Sequence, residues 1–287
     1  MATNNGPALR VFAPAKVNLF LHVGDKRPDG FHDLESLVVF ARAGDALSFA
    51  PADDLSLAIM GPFAAGLSAG EDNLVLKAGR ALARAAGSTK GARIALTKNL
   101  PVASGIGGGS SDAAATLRGL NALWGAGLAD DDLRRIGAEL GSDIPVCIRP
   151  EPAWMAGRGE KVAMLSGIPD LPMVLVNPGV GVPTGAVFRA LTARRGTGLP
   201  LPGPMADGAA LIDYLQTTVN DLEAPARAVA PAIGAVLDAL AAAPGAMLAR
   251  MSGSGATCFA LFGSEPAAAA AAAALRAAHP DWWTAAG

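Results

Sequence analysis

Few residues in this 287-residue chain are suited to metal or thiol chemistry: it has two cysteines and three histidines. Cys147 and Cys258 lie far apart, so a single disulfide stays open, but two buried thiols in a reducing compartment are the expectation. His22, His32 and His279 are too scattered for a metal set or a catalytic triad, and no metal ligands are assigned. Charged residues are 17% of the chain and sum to a formal net charge of -2, which removes the electrostatic case for nucleic acid or an anionic membrane. The longest apolar run, the alanines near 267–274, is too short and too weakly hydrophobic to cross a bilayer. The opening Met-Ala-Thr-Asn-Asn-Gly-Pro has neither a charged n-region nor an apolar h-region, so no signal peptide is read and a cytoplasmic location is expected. No internal repeat is visible.

What is present is the composition of a globular protein, 51% hydrophobic and long enough for one large domain or two smaller ones. Proline rises around residues 168–172, which sets the expected boundary: 1–168 and 169–287. The chain is organised around residues 99–115, Asn-Leu-Pro-Val-Ala-Ser-Gly-Ile-Gly-Gly-Gly-Ser-Ser-Asp-Ala-Ala-Ala. Alternating Ile94 and Leu96 predict a strand before it, and Ala113, Leu117, Leu120 and Trp124 predict a helix after it. Gly105, Gly107, Gly108 and Gly109 let the backbone turn and approach a ligand. Ser110, Ser111 and Asp112 then fall at a helix N-terminus, where orphan N–H groups favour an anion. An ordinary flexible loop with a helix cap is the plain alternative. No lysine precedes Ser110, so this is not a Walker loop, and Ser110 stands where a dinucleotide fingerprint needs glycine.

Taken in order, residues 1–9 read as a loose tail and 10–23 as one strand, with Lys16, Asn18, Phe20 and His22 alternating onto one face. A lone strand lysine is usually solvated, but the apolar neighbours of Lys16 make an unpaired ammonium costly. Residues 25–30 form a turn, after which Phe31-His32 is either packing or a stacking face with a hydrogen-bonding edge. An apolar run at 37–40 follows, then two further strands within 45–70. A helix from about Asp72 to Ala86 follows, with Asn73 or Asp72 as its cap. Another helix spans 130–140, and Asp143 stands between its stop and an apolar strand, as a turn residue or a presented carboxylate. Further on come a strand at 173–177 and a short helix capped by Thr184. A Gly/Pro-rich surface loop at 194–207 precedes a helix start at Asn220. Helices at 227–243 and 265–278 flank two strands within 246–262, which are joined by a second Gly/Ser loop.

A phosphate cradle, a same-face Lys16/Asn18 pair and a carboxylate at Asp143 together suit phosphoryl transfer, which needs positioning, charge stabilisation and a base for the acceptor hydroxyl. Residues 101–111 resemble the second motif of the GHMP kinases. Pro14-Ala-Lys-Val-Asn-Leu-Phe-Leu21, Arg27-Pro-Asp-Gly-Phe-His32, Gly141-Ser-Asp-Ile-Pro145, Asn220-Asp-Leu-Glu223 and Met251-Ser-Gly-Ser-Gly-Ala256 resemble motifs of one branch of that family, in matching order along nearly the whole chain.

The resemblance implies an α+β fold, with an N-terminal domain like ribosomal protein S5 domain 2 and a ferredoxin-like C-terminal domain. It implies ATP-dependent phosphorylation of the 2-hydroxyl of 4-diphosphocytidyl-2-C-methyl-D-erythritol in the non-mevalonate route to isoprenoids. Mg²⁺ would be carried mainly by the nucleotide, assisted by Ser111 or Ser110. Lys16 and Asp143 match the catalytic pair, with Asp143 as base. Pro101, Val102, Ala103, Ser104, Gly105, Ile106, Gly107, Gly108, Gly109, Ser110 and Ser111 match the ATP phosphate loop, and Asn73 and Lys98 match positions near adenine. Asn18, Phe31, His32, Thr184 and Phe188 match substrate-side positions, Phe31 and Phe188 to stack on cytosine and His32 to hydrogen-bond it. A monomer or weak homodimer is expected. Three positions depart from the pattern: Phe31 stands where Tyr is frequent, Ile106 where Leu is commoner, and Asn177 where His is usual. The alternatives are a GHMP kinase for another small alcohol, such as mevalonate or homoserine, and a nucleotide sensor without catalysis.

Overall fold

A computed structural model describes residues 8–287. The expected tail at 1–9 lies mostly outside the described residues, and Leu9 already opens the first strand. The chain begins with β1 (Leu9–Asn18), β2 (His22–Lys26) and the long β3 (His32–Ala52), with which both earlier strands pair. The strand expected at 10–23 is therefore interrupted. At the break, the N–H of Leu21 turns to the carbonyl of Val219 instead of continuing the ladder. In the other direction β3 is longer than its sequence pattern indicated, joining the run at 37–40 to the first strand expected after 45.

One compact unit contains residues 44–102 and 107–150, with the described part of the segment ending at Ala15. Its elements are β4 (Leu55–Met60), α1 (Leu74–Ala86), β5 (Gly91–Thr97), α2 (Gly108–Trp124), α3 (Asp130–Leu140) and α4 (Ile144–Cys147). β5 runs parallel to β4 and antiparallel to the second half of β3, in a register that sets Ile94 opposite Phe49 and Leu96 opposite Leu47. All four side chains are buried, as period-two alternation requires of one sheet face. Helices α1 and α2 pack together. A Cβ on Gly119 of α2 would come 2.4 Å from the ring of Phe49, so only glycine allows the helix this close to the sheet. The residues after Asp143, expected as a strand, form the short helix α4. Pro145 lies in its first turn, where a missing N–H costs nothing.

The second unit holds residues 16–43, 103–106 and 151–287, and the boundary expected after residue 168 falls inside it. A hairpin of β6 (Ala153–Gly157) and β7 (Lys161–Met164) extends from the first half of β3, with Leu37 opposite Trp154. Then follow β8 (Met173–Asn177), α5 (Thr184–Ala190), α6 (Gly208–Gln216), α7 (Glu223–Val229), α8 (Ala232–Ala241), β9 (Ala246–Met251), β10 (Cys258–Phe262), α9 (Glu265–Ala278) and β11 (Trp283–Ala286). Strands β8 to β11 make one antiparallel four-stranded sheet in the order β11-β8-β10-β9, the arrangement of a ferredoxin-like domain. Val174, Val176, Ala260 and Phe262 of the sheet share a core with Val236, Leu240, Ala272 and Leu275 of the helices.

Several expectations need correction here. The helix expected at 227–243 is two, because Pro231 cannot donate to the turn before it. Thr184 is the first helical residue of α5 and does not cap it; the N-cap is Pro183. Four elements had not been read from the sequence: the hairpin strands β6 and β7, and α6 and β11. Asp207 caps α6 by accepting from the N–H of Ala210, and β11 forms only by pairing with β8. Both cysteines are buried, and neither forms a disulfide. Among the described residues no helix is long and apolar enough to cross a membrane.

Candidate active site

The glycine loop departs from β5 and closes into α2. Gly105 (φ 77°) and Gly107 (φ 61°) take left-handed backbone, and so does Ala103 (φ 51°). Gly107 holds the N-cap position without any side-chain cap on the helix. The first N–H groups of α2 are thus left for a ligand, in the field of the positive helix end. No atom lies within 4 Å of where a Cβ on Gly109 would be, so this terminus is open. Ser110 is half-buried and Ser111 buried. An uncapped, glycine-lined helix terminus fits a polyphosphate. Among the described residues, no group of three or more His, Cys, Asp or Glu could hold a metal ion.

Beneath this terminus lies a buried ionic cluster. The ammonium of Lys98 donates to Asp45 Oδ2 at 2.5 Å and to Asp112 Oδ2 at 2.7 Å. Burial pushes the Asp112 carboxyl up; the Lys98 charge opposes this and Asp45 adds to it, leaving the group at about 7. Burial alone would lower Lys98, but Asp112 and Asp45 outweigh it and raise the ammonium above its ordinary value. Asn73, expected near a nucleotide, uses its side-chain oxygen to cap α1 through the N–H of Val75. Asp143 is half-buried at the N-cap position of α4, and its side chain does not cap that helix.

In the second unit the same-face reading of β1 holds. Lys16 Nζ donates to Asn18 Oδ1 at 2.8 Å, and Asn18 Nδ2 donates to Ser36 Oγ at 2.8 Å. Ser36 in turn donates to the carbonyl of Phe20 at 2.6 Å. Ser252, from the second Gly/Ser loop, accepts from the backbone N–H of Asn18 and donates to the carbonyl of Gly105. The N–H of Lys16 reaches the carbonyl of Ile106, and that of Thr257 the carbonyl of Ser104. The turn of the phosphate loop is therefore held by backbone bonds from two distant segments. A Cβ on Gly105 would meet backbone atoms of Ser252 and Gly255 at 2.6–2.8 Å. The second Gly/Ser loop is thus more than a hairpin turn.

Phe31 is 52% exposed, with the guanidinium of Arg158 5.2 Å above its ring. His32 stacks on Phe188 with ring centroids 5.4 Å apart, and its Nδ1 lies 3.2 Å from the carbonyl of Gly24. Thr184 Oγ1 and Ser254 Oγ share a hydrogen bond at 2.9 Å. His32 and Phe188 are thus brought together, whereas Phe31 is paired instead with Arg158.

Sequence reasoning missed Asp45, Ser36 and Arg250. Arg250 is buried and donates to the carbonyls of Leu19, Leu215 and Thr218; burial lowers it to about 10, against the opposing charge of Glu223. No local pattern marks these residues, since each has its partners far away in sequence. Asn177 donates to Thr257 Oγ1 and accepts from the N–H of Gly179, which accounts structurally for a polar residue at that buried position.

Comparison with known proteins identifies the class. Residues 73–150 match the family model described as GHMP kinases N terminal domain, and 204–281 match GHMP kinases C terminal. A 4-diphosphocytidyl-2-C-methyl-D-erythritol kinase of Paramagnetospirillum magneticum is 52% identical over 95% of each chain, and one of Parvibaculum lavamentivorans is 50% identical over 97% of each. A crystal structure of 4-(cytidine 5'-diphospho)-2C-methyl-D-erythritol kinase superposes with a TM-score of 0.77 at 34% identity, covering 97% of this chain and 98% of its own. Homoserine kinase from Cytophaga hutchinsonii shares the fold alone, with a TM-score of 0.71 at 19% identity over 100% of this chain and 96% of its own. The chain belongs to the GHMP kinase family, and its relatives place it among the 4-diphosphocytidyl-2-C-methyl-D-erythritol kinases. The α+β class expected from the motifs is the one observed.

Proposed function

We propose that this protein transfers the γ-phosphoryl group of ATP to the 2-hydroxyl of 4-diphosphocytidyl-2-C-methyl-D-erythritol, a step in the non-mevalonate supply of isoprenoid precursors. The observation that carries this reading is the uncapped N-terminus of α2, opened by Gly105 and Gly107, in a chain whose relatives bear that kinase name. Residues 101–111 would cradle the phosphates through backbone N–H groups. Mg²⁺, bound mainly by the nucleotide, would neutralise phosphate charge, with Ser111 or Ser110 assisting in holding it.

Asp143 is assigned as the base that takes the proton of the 2-hydroxyl. Lys16, positioned by Asn18, stabilises charge developing on the transferred group. On the base side, Phe31 and Phe188 supply stacking area and His32 a hydrogen-bonding edge for cytosine. Thr184 and Asn18 contact the remainder of the substrate. Asn73 stands near the adenine end, and Lys98 close by. Residues 1–168 and 169–287 are the two functional domains of this reading. The enzyme works in the cytoplasm as a monomer or weak homodimer, without nucleic acid or membrane partners.

The test is ADP release from ATP and Mg²⁺ with the cytidyl substrate, beside mevalonate and homoserine. Turnover with the cytidyl substrate alone supports the assignment. Turnover with a control alcohol removes the cytosine pocket, and tight ATP binding without any turnover points to a sensor.

A further inference from the structure

The buried cluster of Lys98, Asp45 and Asp112 brackets the glycine loop. Lys98 ends the strand side, Asp112 lies beyond the loop in α2, and the ammonium joins them at 2.7 Å. Asp45 holds the entry of the loop, because its Oδ1 accepts from the N–H groups of Asn99 and Leu100 at 2.5 and 2.9 Å. Its Oδ2 accepts from the same ammonium at 2.5 Å. The exit is held as closely: a Cβ on Gly108, the first residue of α2, would lie 3.1 Å from Lys98 Nζ. The three side chains are 4%, 0% and 4% exposed for Lys98, Asp45 and Asp112, so this ammonium is buried between the two carboxyl groups. Asp112 Oδ1 is buried without a hydrogen-bond partner, which leaves the Lys98 contact as the main compensation for that carboxyl.

We propose that Lys98 is a positioning residue, the pin of an Asp45–Lys98–Asp112 staple that fixes both ends of the phosphate loop, and that it acts on ATP through the loop rather than by touching adenine. The inference rests on the reading that this loop binds polyphosphate. Buried ion pairs add little net stability over apolar residues of equal size. What they add is direction, since an ammonium hydrogen-bonded to two carboxyl groups, whether or not one of them is protonated, fixes the spacing of the segments that carry them. Here those segments are the two ends of a turn that would otherwise be ordered at the moment of binding, and prior ordering is repaid in affinity.

The experiment compares wild type with Lys98→Met and Asp112→Asn. It measures equilibrium binding of ATP and of inorganic tripolyphosphate, together with the KM of the cytidyl substrate. The staple predicts that Lys98→Met weakens both phosphate ligands by the same factor, about tenfold or more, while the other KM stays within about twofold. Asp112→Asn keeps the shape and an acceptor, and weakens both ligands in parallel by a smaller factor. Loss of ATP affinity with tripolyphosphate retained would show Lys98 reading the base and overturn the proposal, as would unchanged binding of both ligands. Should Lys98→Met fail to fold, Asp112→Asn decides by the same comparison. A wild-type protein that binds neither ligand would sink the phosphate-loop reading itself, and the staple with it.

Discussion

Lys16 and Asn18 lie two residues apart on β1 and are joined Nζ to Oδ1 at 2.8 Å, with both side chains buried. Asn18 is held in turn by Ser36 and Ser252, so the position of the ammonium is set by a short relay of hydrogen bonds. Replacing Asn18 by Leu removes the acceptor. The expected result is a fall in kcat of about 10²-fold or more, with ATP affinity changed little; steady-state kinetics with separate ATP titration checks it. Ser36→Ala, one step further from the reaction, should give the same pattern at smaller amplitude.

Gly105 combines left-handed backbone with close contact to the backbone of the second Gly/Ser loop at Ser252 and Gly255. Gly105→Ala therefore meets both a φ penalty and a clash that cannot be relieved by moving a side chain, together about 2–4 kcal/mol. Loss of ATP binding with a lowered Tm is the expected outcome, and calorimetry measures both. An active variant of wild-type stability would contradict the loop geometry.

Asp112 makes stability depend on pH. Its carboxyl sits at about 7 in the folded protein, well above the ordinary carboxylate range. The folded state therefore holds a proton that the unfolded state releases. The resulting stabilisation is complete below the ordinary carboxylate pKa and is lost as pH rises through about 7. Asp112→Asn has no such proton. The Tm of wild type relative to the variant should fall between about pH 5 and pH 8, and thermal denaturation across that range tests it. A difference that is flat or rises with pH would refute the assignment.

Glu35 is buried on β3, and one carboxylate oxygen accepts from the N–H groups of both Gly198 and Leu199 at 3.0 Å. Asp221 similarly receives the N–H groups of Val23 and Arg195. The Gly/Pro-rich segment at 194–207 is thus tied down by carboxylates despite its loop composition. Glu35→Ala should cost about 1–3 kcal/mol and speed amide exchange at 198 and 199. Exchange mass spectrometry would show whether the effect is local.

Phe31 offers an exposed ring with one guanidinium over it, and His32 rests on Phe188. Phe31→Ala and Phe188→Ala should each raise the KM of the cytidyl substrate by about tenfold while leaving that of ATP unchanged. A rise in the ATP value instead would move these residues to the nucleotide side.

The elements legible in advance were those whose signals are local. Helix α9 and strand β8 have the bounds that their periodicity indicated, and the alternation of Ile94 and Leu96 placed β5 to within a few residues. The glycine loop could be read because a positive φ and an uncapped helix start are written in residue type. Strand β11 could not be read, since its four residues become a strand only by pairing with β8. Helix α6 was hidden by the Gly/Pro-rich stretch before it, and α4 by an apolar composition that suits strand and helix equally.

The site divides in the same way. Residue order alone placed Lys16 and Asn18 on one strand face and put the glycines ahead of a helix, because strand alternation and backbone sterics act over a few residues. The partners of these groups were decided by the tertiary structure. Asp45 lies 53 positions from Lys98, and Ser252 lies 234 positions from Asn18. Burial makes each of them consequential, because a charge or donor removed from water must find its partner wherever the fold has placed one.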